Sequence, residues 1–307
     1  MKGAHRDSSN RASRRRLEVS TAHANDDAST LTRHEAASPV SVATWNVNGQ
    51  SGSSVDAHLR FLESKGCGIV ALQEVKEHYV AALRRHPKVH AVSYSLDLRP
   101  PEPDAPAKRR LGCAIVVLDP PIVVQSAQII ETTICPERTL VATLTVDGER
   151  IQVVSLHCPN GSKWGRDKAV WFHDVANWMQ LQVVPTVFGI DANTPKNESL
   201  ADAHRDKWWR EDSHPAVGNG AQQLVGDSPF HDLRDVWKLL NPGASAFPPS
   251  YNRDSKGEKR PEYACRYDFI FASPHFTPLA CDYHFEAVVG TTPRLSDHAL
   301  VSATMRL

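Results

Sequence analysis

Thr186-Val187-Phe188-Gly189-Ile190-Asp191-Ala192-Asn193-Thr194 sets an apolar run against a polar end. The β-branched and aromatic residues from Thr186 to Ile190 read as a buried strand. Residues two apart in extended chain share a side, so Asp191 and Asn193 are expected to point together. A carboxylate there can orient or deprotonate water while the amide donates to an anionic oxygen. The alternative is an Asx turn that caps a helix after Thr194-Pro195. Similar polar ends recur along the chain: Thr44-Trp45-Asn46-Val47-Asn48-Gly49, Leu72-Gln73-Glu74-Val75, Leu156-His157-Cys158-Pro159-Asn160-Gly161 and Leu295-Ser296-Asp297-His298, with Cys265-Arg266-Tyr267-Asp268-Phe269-Ile270 fitting before the last. Together they supply hard oxygen donors, two histidines and several amides, the inventory for hydrolysing a phosphate ester with Mg²⁺, Mn²⁺ being the substitute ion.

Outward from these ends the chain alternates strands and helices. Strands are expected at Val40–Val47, Ile69–Gln73, Val89–Ser95, Gly112–Leu118, Ile122–Ile130, Arg138–Val146, Arg150–His157, Arg266–Ala272, Tyr283–Val289 and Ala299–Met305. Asp147-Gly148 marks a two-residue hairpin. Helices are expected from Asp56 to Lys65, closed by Gly66, from Lys76 to His86, closed by Pro87, and from Gly165 to Leu181. In the last, Trp171, Val175 and Trp178, widened by Phe172 and Met179, recur at helical spacing and read as a core face. Many strands with flanking helices imply two packed sheets with helices outside.

Composition bounds the setting. Hydrophobic residues make up 41% of the 307 and charged residues 23%, enough for a core over most of the length. With 35 basic and 35 acidic residues the chain has no net field, which argues against strong sequence-independent adhesion to a duplex. Six cysteines lack close pairing of the zinc or redox kind and are expected to be reduced thiols in a cytoplasmic protein; the oligomeric state is left open, with a monomer favoured. The best apolar run, Gly112 to Val124, is broken by Asp119-Pro120-Pro121, so no transmembrane segment is expected. Residues 1–38 read as a disordered basic and polar tail, with six Lys or Arg against one Asp before Leu17. Residues 39–307 read as one domain. Two inserts, Arg99–Arg110 and Asn252–Pro261, are solvated loops or a basic rim for an anionic substrate.

The ordered series Asn46, Glu74, His157 with Asn160, Asp191 with Asn193, Asp268 and Asp297-His298 resembles the endonuclease/exonuclease/phosphatase superfamily over residues 40–307. That superfamily includes deoxyribonuclease I, abasic-site endonucleases, inositol-polyphosphate 5-phosphatases and neutral sphingomyelinases. The resemblance implies a four-layered α/β sandwich of two mostly antiparallel sheets flanked by helices, with the active site between the sheet edges.

Beside that resemblance, the residues take expected roles. Glu74 is assigned to the metal, with Asn46, Asn48 and Asp297 as further oxygen donors. Some superfamily members carry aspartate where Asn48 stands. Asp191 activates water, while Asn193, Asn160 and His298 hold phosphate oxygens. Asp268 holds the other ring nitrogen of His298, and His157 protonates the departing oxygen.

The substrate is less legible. Leu233-Arg234-Asp235-Val236-Trp237-Lys238 resembles abasic-site enzymes, but Phe247-Pro248-Pro249-Ser250-Tyr251 lacks their paired tryptophans. Pro248 to Tyr251 with Lys259-Arg260-Pro261 loosely resembles inositol-polyphosphate phosphatases, whose Trp-Cys-Asp-Arg signature is missing. The expectation is a metal-dependent nuclease or phosphodiesterase acting by in-line attack of water. The alternatives are a phosphomonoesterase on inositol phosphates, a sphingomyelinase-like lipid phosphodiesterase, and a silent phosphate-binding scaffold. A silent scaffold should have lost one of Glu74, Asp191, Asp268 or His298, and none is lost.

Overall fold

A computed structural model describes residues 38–104, 110–160, 164–194, 215–244, 247–252, 264–289 and 294–307. The tail expected over residues 1–38 lies, apart from Ser38, outside them, as does most of the second insert. The strands are β1 (Val40–Asn46), β2 (Ile69–Val75), β3 (Ala91–Tyr94), β4 (Gly112–Val117), β5 (Val123–Gln128), β6 (Thr139–Val146), β7 (Glu149–His157), β8 (Thr186–Asp191), β9 (Arg234–Asp235), β10 (Tyr251–Asn252), β11 (Ala264–Cys265), β12 (Asp268–Ala272), β13 (Thr277–His284) and β14 (Leu300–Arg306). The helices are α1 (Val55–Ser64), α2 (Glu77–Arg85), α3 (Ser95–Leu98), α4 (Arg166–Gln180), α5 (Pro215–Val225), α6 (Val236–Leu240) and α7 (Glu286–Val289).

Two six-stranded sheets form, in the orders β13-β14-β1-β2-β4-β3 and β5-β6-β7-β8-β12-β9. Each is antiparallel except for one central parallel pair, β1 with β2 and β7 with β8. Strand alternation sorts the core into three slabs. Val42, Ile69, Ile115, Leu140, Val153, Val187 and Ile270 meet between the sheets. The residues alternating with them, Ala43, Trp45, Val70, Leu72 and Val116, face α1 and α2. On the other flank Val154, Leu156, Phe188, Ile190 and Phe269 face Trp171, Phe172, Val175 and Met179 of α4. Three apolar slabs separate four layers, as the resemblance implied.

The expected Asp147-Gly148 hairpin joins β6 to β7, with both residues at positive φ, 49° and 84°. The expected strand Tyr283–Val289 is displaced. β13 begins earlier, at Thr277, and Glu286–Val289 is helical. β13 is an edge strand with an irregular register between Pro278 and Ala280, where the missing N–H of Pro278 is tolerated.

Candidate active site

Parity carries the site. Asn46 continues the inward series of Val40 and Val42 on β1. His157 continues that of Ile151 and Val153 on β7, Asp191 that of Val187 on β8, and Asp268 shares its face with Ile270 and Ala272 on β12. The four therefore converge in the cleft between the sheets, just past the apolar core. Gly189 permits that convergence, because a Cβ there would stand 2.4 Å from Thr44 Cβ of the opposite sheet. A buried polar layer lies beneath the site. Gln73 Nε2 donates to Thr44 Oγ1 at 3.0 Å and to Ser155 Oγ at 3.1 Å, and Ser155 Oγ donates to the Leu72 carbonyl at 2.9 Å.

Glu74 breaks the parity. Alternation from Ile69 would turn it toward the helices. The register of β2 on β4 slips between Leu72 and Val75, and Glu74 adopts a φ of 55°. This bulge turns the carboxylate inward, with Oε1 3.3 Å from His157 Nε2. Burial opposes its ionisation. The hydrogen bond and charge of His157, the charge of His298 and a hydrogen bond from Asn46 outweigh that and hold its pKa down at about 2.

Asp191 is the hub. Its Oδ2 accepts from Asn46 Nδ2 at 2.8 Å, joining the two sheets, and from Asn193 Nδ2 at 3.3 Å. Its Oδ1 accepts from the backbone N–H of Asn193 at 2.8 Å. This Asx turn is made by Asp191 itself, and the helix that such a turn is expected to cap after Thr194-Pro195 lies outside the described residues. The expected extended geometry does not hold beyond Asp191, because Asn193 has a φ of 48°. Its amide is engaged by Asp191 and by the Cys158 carbonyl at 2.9 Å, and so braces the carboxylate. The Nε2 atoms of His157 and His298 stand 3.8 and 3.9 Å from Asp191 Oδ2.

His298 Nδ1 pairs with Asp268 Oδ2 at 2.8 Å. Burial disfavours the imidazolium, but the charges of Asp268 and Asp191 overcome it and raise the His298 pKa. Burial raises the Asp268 pKa, against the opposing pull of that imidazolium. Ser250 Oγ accepts the N–H groups of Tyr267 and Asp268 at 2.8 and 2.9 Å, fixing the start of β12. The Asp297-His298 loop is tied to β1, where Ser296 Oγ donates to the Asn46 carbonyl at 2.5 Å and Trp45 Nε1 donates to the His298 carbonyl at 3.0 Å.

The remaining expected residues sit at the margin. Asn48 is exposed at a φ of 51°, and its N–H caps Asn46 Oδ1 at 2.8 Å, a turn role. Asn160 is exposed, and its carbonyl accepts from Trp164 N at 3.1 Å. Asp297 Oδ1 is buried without a hydrogen-bond partner among the described residues. Asp191, Asp268 and His298 place their ligating atoms within 4.8 Å of one another.

Three participants escaped the sequence reading. Arg138, buried before β6, sets a guanidinium nitrogen 3.2 Å from His157 Nδ1, and only its basic character at a strand start could have marked it. Lys168 is fully buried on α4 and donates to the Asn193 carbonyl at 2.8 Å. The signal was there, because Lys168 falls on the apolar stripe of Trp171, Phe172 and Val175. Ser250 stands inside a motif noted only for its resemblance.

The family model for the Endonuclease/Exonuclease/phosphatase family matches residues 43–298, and the chain belongs to that family. No curated protein sequence matches the chain. Among solved structures it is similar to an AP endonuclease from Archaeoglobus fulgidus, with a TM-score of 0.63 and 21% identity over 86% of this chain and 98% of that one. It is also similar to D. rerio TDP2 complexed with single strand DNA product, with a TM-score of 0.62 and 18% identity over 88% of this chain and 100% of that one. The human Nocturnin catalytic domain with bound sulfate anion gives a TM-score of 0.58 and 16% identity over 87% of this chain and 93% of that one. At these identities the likeness establishes the DNase I-like fold. Membership of the family makes the chain one of a family of phosphoric ester hydrolases. Among the described residues no helix is long and apolar enough to cross a membrane.

Proposed function

We propose that this chain is a divalent-metal-dependent phosphodiesterase acting on nucleic acid. The observation that carries the proposal is Asp191, held across the sheets by Asn46 and facing two imidazole Nε2 atoms at 3.8 and 3.9 Å. The donors available suit Mg²⁺: the ionised Glu74 carboxylate, the oxygen of its neighbour Asn46, and the Asp297 oxygen that has no partner among the described residues are all hard ligands. Asn48 supports that set through its turn. Bound there, Mg²⁺ would neutralise charge on a phosphoryl oxygen. The Asp191, Asp268 and His298 group is a poorer cation site, because His298 is itself held cationic.

In this reading Asp191 takes a proton from the attacking water, while Asn46 and Asn193 keep its carboxylate aimed. His298, kept protonated and oriented by Asp268, donates to a phosphoryl oxygen, with Asn160 available at the rim. His157, backed by Arg138, serves the departing oxygen. The six cysteines, none of them in a disulfide, fit a cytoplasmic, reducing setting.

Glu74→Ala is expected to abolish ion-dependent turnover while retaining the wild-type circular dichroism spectrum. A fully active alanine variant would refute the metal assignment. The runner-up, an inositol-phosphate or lipid-headgroup hydrolase, shares this chemistry, and relative turnover of the substrates separates the two.

A further inference from the structure

β2 hands over to α2 beside a cavity of about 750 Å³, within the range of roughly 300–1,000 Å³ usual for small-molecule sites. Its position ties it to the site. Lys76 lines it two residues after Glu74, and the hydroxyl of Tyr94, another lining residue, donates to the Val75 carbonyl at 3.0 Å. A Cβ at Gly49, next to Asn48, would stand 3.1 Å from Lys76 Cε, so the rim borders both strand-end loops. The far side is equally anchored. Ser95 Oγ accepts from Cys113 N at 2.9 Å and donates to the Glu137 carbonyl at 2.6 Å, one residue before Arg138 on His157. Arg110 and Pro103, both lining residues, are joined by a hydrogen bond from the Arg110 guanidinium to the Pro103 carbonyl at 2.7 Å.

The lining chemistry selects among phosphate esters. Tyr94, Leu96, Pro100 and Pro101 supply flat or apolar walls. Lys76, His78 and Arg110 supply donors, and Glu77, Asp97 and Glu102 supply acceptors, with Asp97 already paired to Arg84. A polyphosphate needs cations in excess, and three carboxylates would oppose it. An acyl chain needs a wall without charges. A heterocycle with stackable faces and an edge of mixed donors and acceptors fits both features. A paired base cannot enter such a recess without leaving its stack.

Building on the nuclease reading, we infer that this cavity receives the unpaired base of the nucleotide next to the scissile phosphate, so that single-stranded nucleic acid is the preferred substrate. Pro101→Trp and His78→Trp fill it from two separate segments at lining positions outside the core. Turnover of a short single-stranded oligonucleotide is compared with that of bis(4-nitrophenyl) phosphate, and binding of the labelled oligonucleotide is followed by anisotropy in EDTA. The expected ratio of oligonucleotide to reporter kcat/KM falls about tenfold in each variant, the loss of one base–aromatic contact, and binding weakens in step. Wild-type protein is expected to prefer single strand over duplex. An unchanged ratio and unchanged binding in both folded variants would overturn the cavity assignment, as would equal turnover of duplex. Absence of hydrolysis of DNA and reporter alike would instead refute the nuclease reading. The anisotropy measurement would still decide the cavity.

Discussion

Glu74 owes its place to one irregular residue in β2, and Asp191 owes its own to plain alternation. That contrast separates what their substitutions should do. Asp191→Asn keeps the shape and an oxygen for the Asn193 N–H but removes the base and replaces the acceptor facing Asn46 Nδ2 with a donor, so kcat is expected to fall by about 10²–10⁴ with little change in KM. His298→Ala should show the same split. Steady-state kinetics on a DNA substrate test both, and a loss confined to KM would reverse the roles assigned. Alternation made Asn46, His157, Asp191 and Asp268 legible as strand-end residues. The inward turn of Glu74 depends on its φ of 55° and a register slip that no local sequence pattern announces. Asn193 was legible as a neighbour of Asp191 but not as its brace, because its left-handed conformation follows from the Asx turn and from the Lys168 contact.

At the scale of elements, β8 and β1 approach through Gly189. Gly189→Ala forces a methyl into Thr44 and is expected to cost about 1–3 kcal/mol in denaturant melts, with a larger loss of activity than of stability because Asp191 follows two residues later. A melt indistinguishable from wild type would contradict this packing. α1 carries a second test. His58 Nε2 donates to the Leu295 carbonyl at 3.0 Å, so its Nδ1 accepts from the Tyr79 hydroxyl at 2.6 Å. Burial lowers its pKa from 6.5 to about 4, against the opposing Leu295 hydrogen bond. The folded state thus holds His58 neutral while the unfolded chain takes up a proton below pH 6.5. Stability from this group is complete above that pH and is lost as pH falls toward about 4, amounting to at most about 3 kcal/mol. His58→Gln can keep both contacts without titrating, so the stability difference between it and wild type should shift toward the variant across that window. Parallel melts at pH 7.5 and pH 4 give the answer, and a constant difference would contradict it. Most strands and α4 were readable from residue pattern, and α1 and α2 from their start and stop residues. β13 was misplaced because a mostly exposed edge strand shows little apolar alternation, and α6 is too short to show a period.

Over the whole molecule, two sheets with one parallel pair each bring polar strand ends from both halves to a single cleft. All the proposed catalytic groups lie between Asn46 and His298, so removing residues 1–38 is expected to weaken binding of nucleic acid but leave cleavage intact. His157 in place of tyrosine, the missing tryptophan pair, and basic residues gathered in the tail and two loops predict modest turnover with little base preference and a marked loss on adding salt. The most direct test of the central claim is turnover of single-stranded and duplex DNA beside an inositol polyphosphate, in identical salt, with Mg²⁺ and with excess EDTA. The account predicts DNA hydrolysis that disappears in EDTA and returns with the ion. Full activity in EDTA, or hydrolysis of the polyphosphate faster than DNA by orders of magnitude, would contradict it.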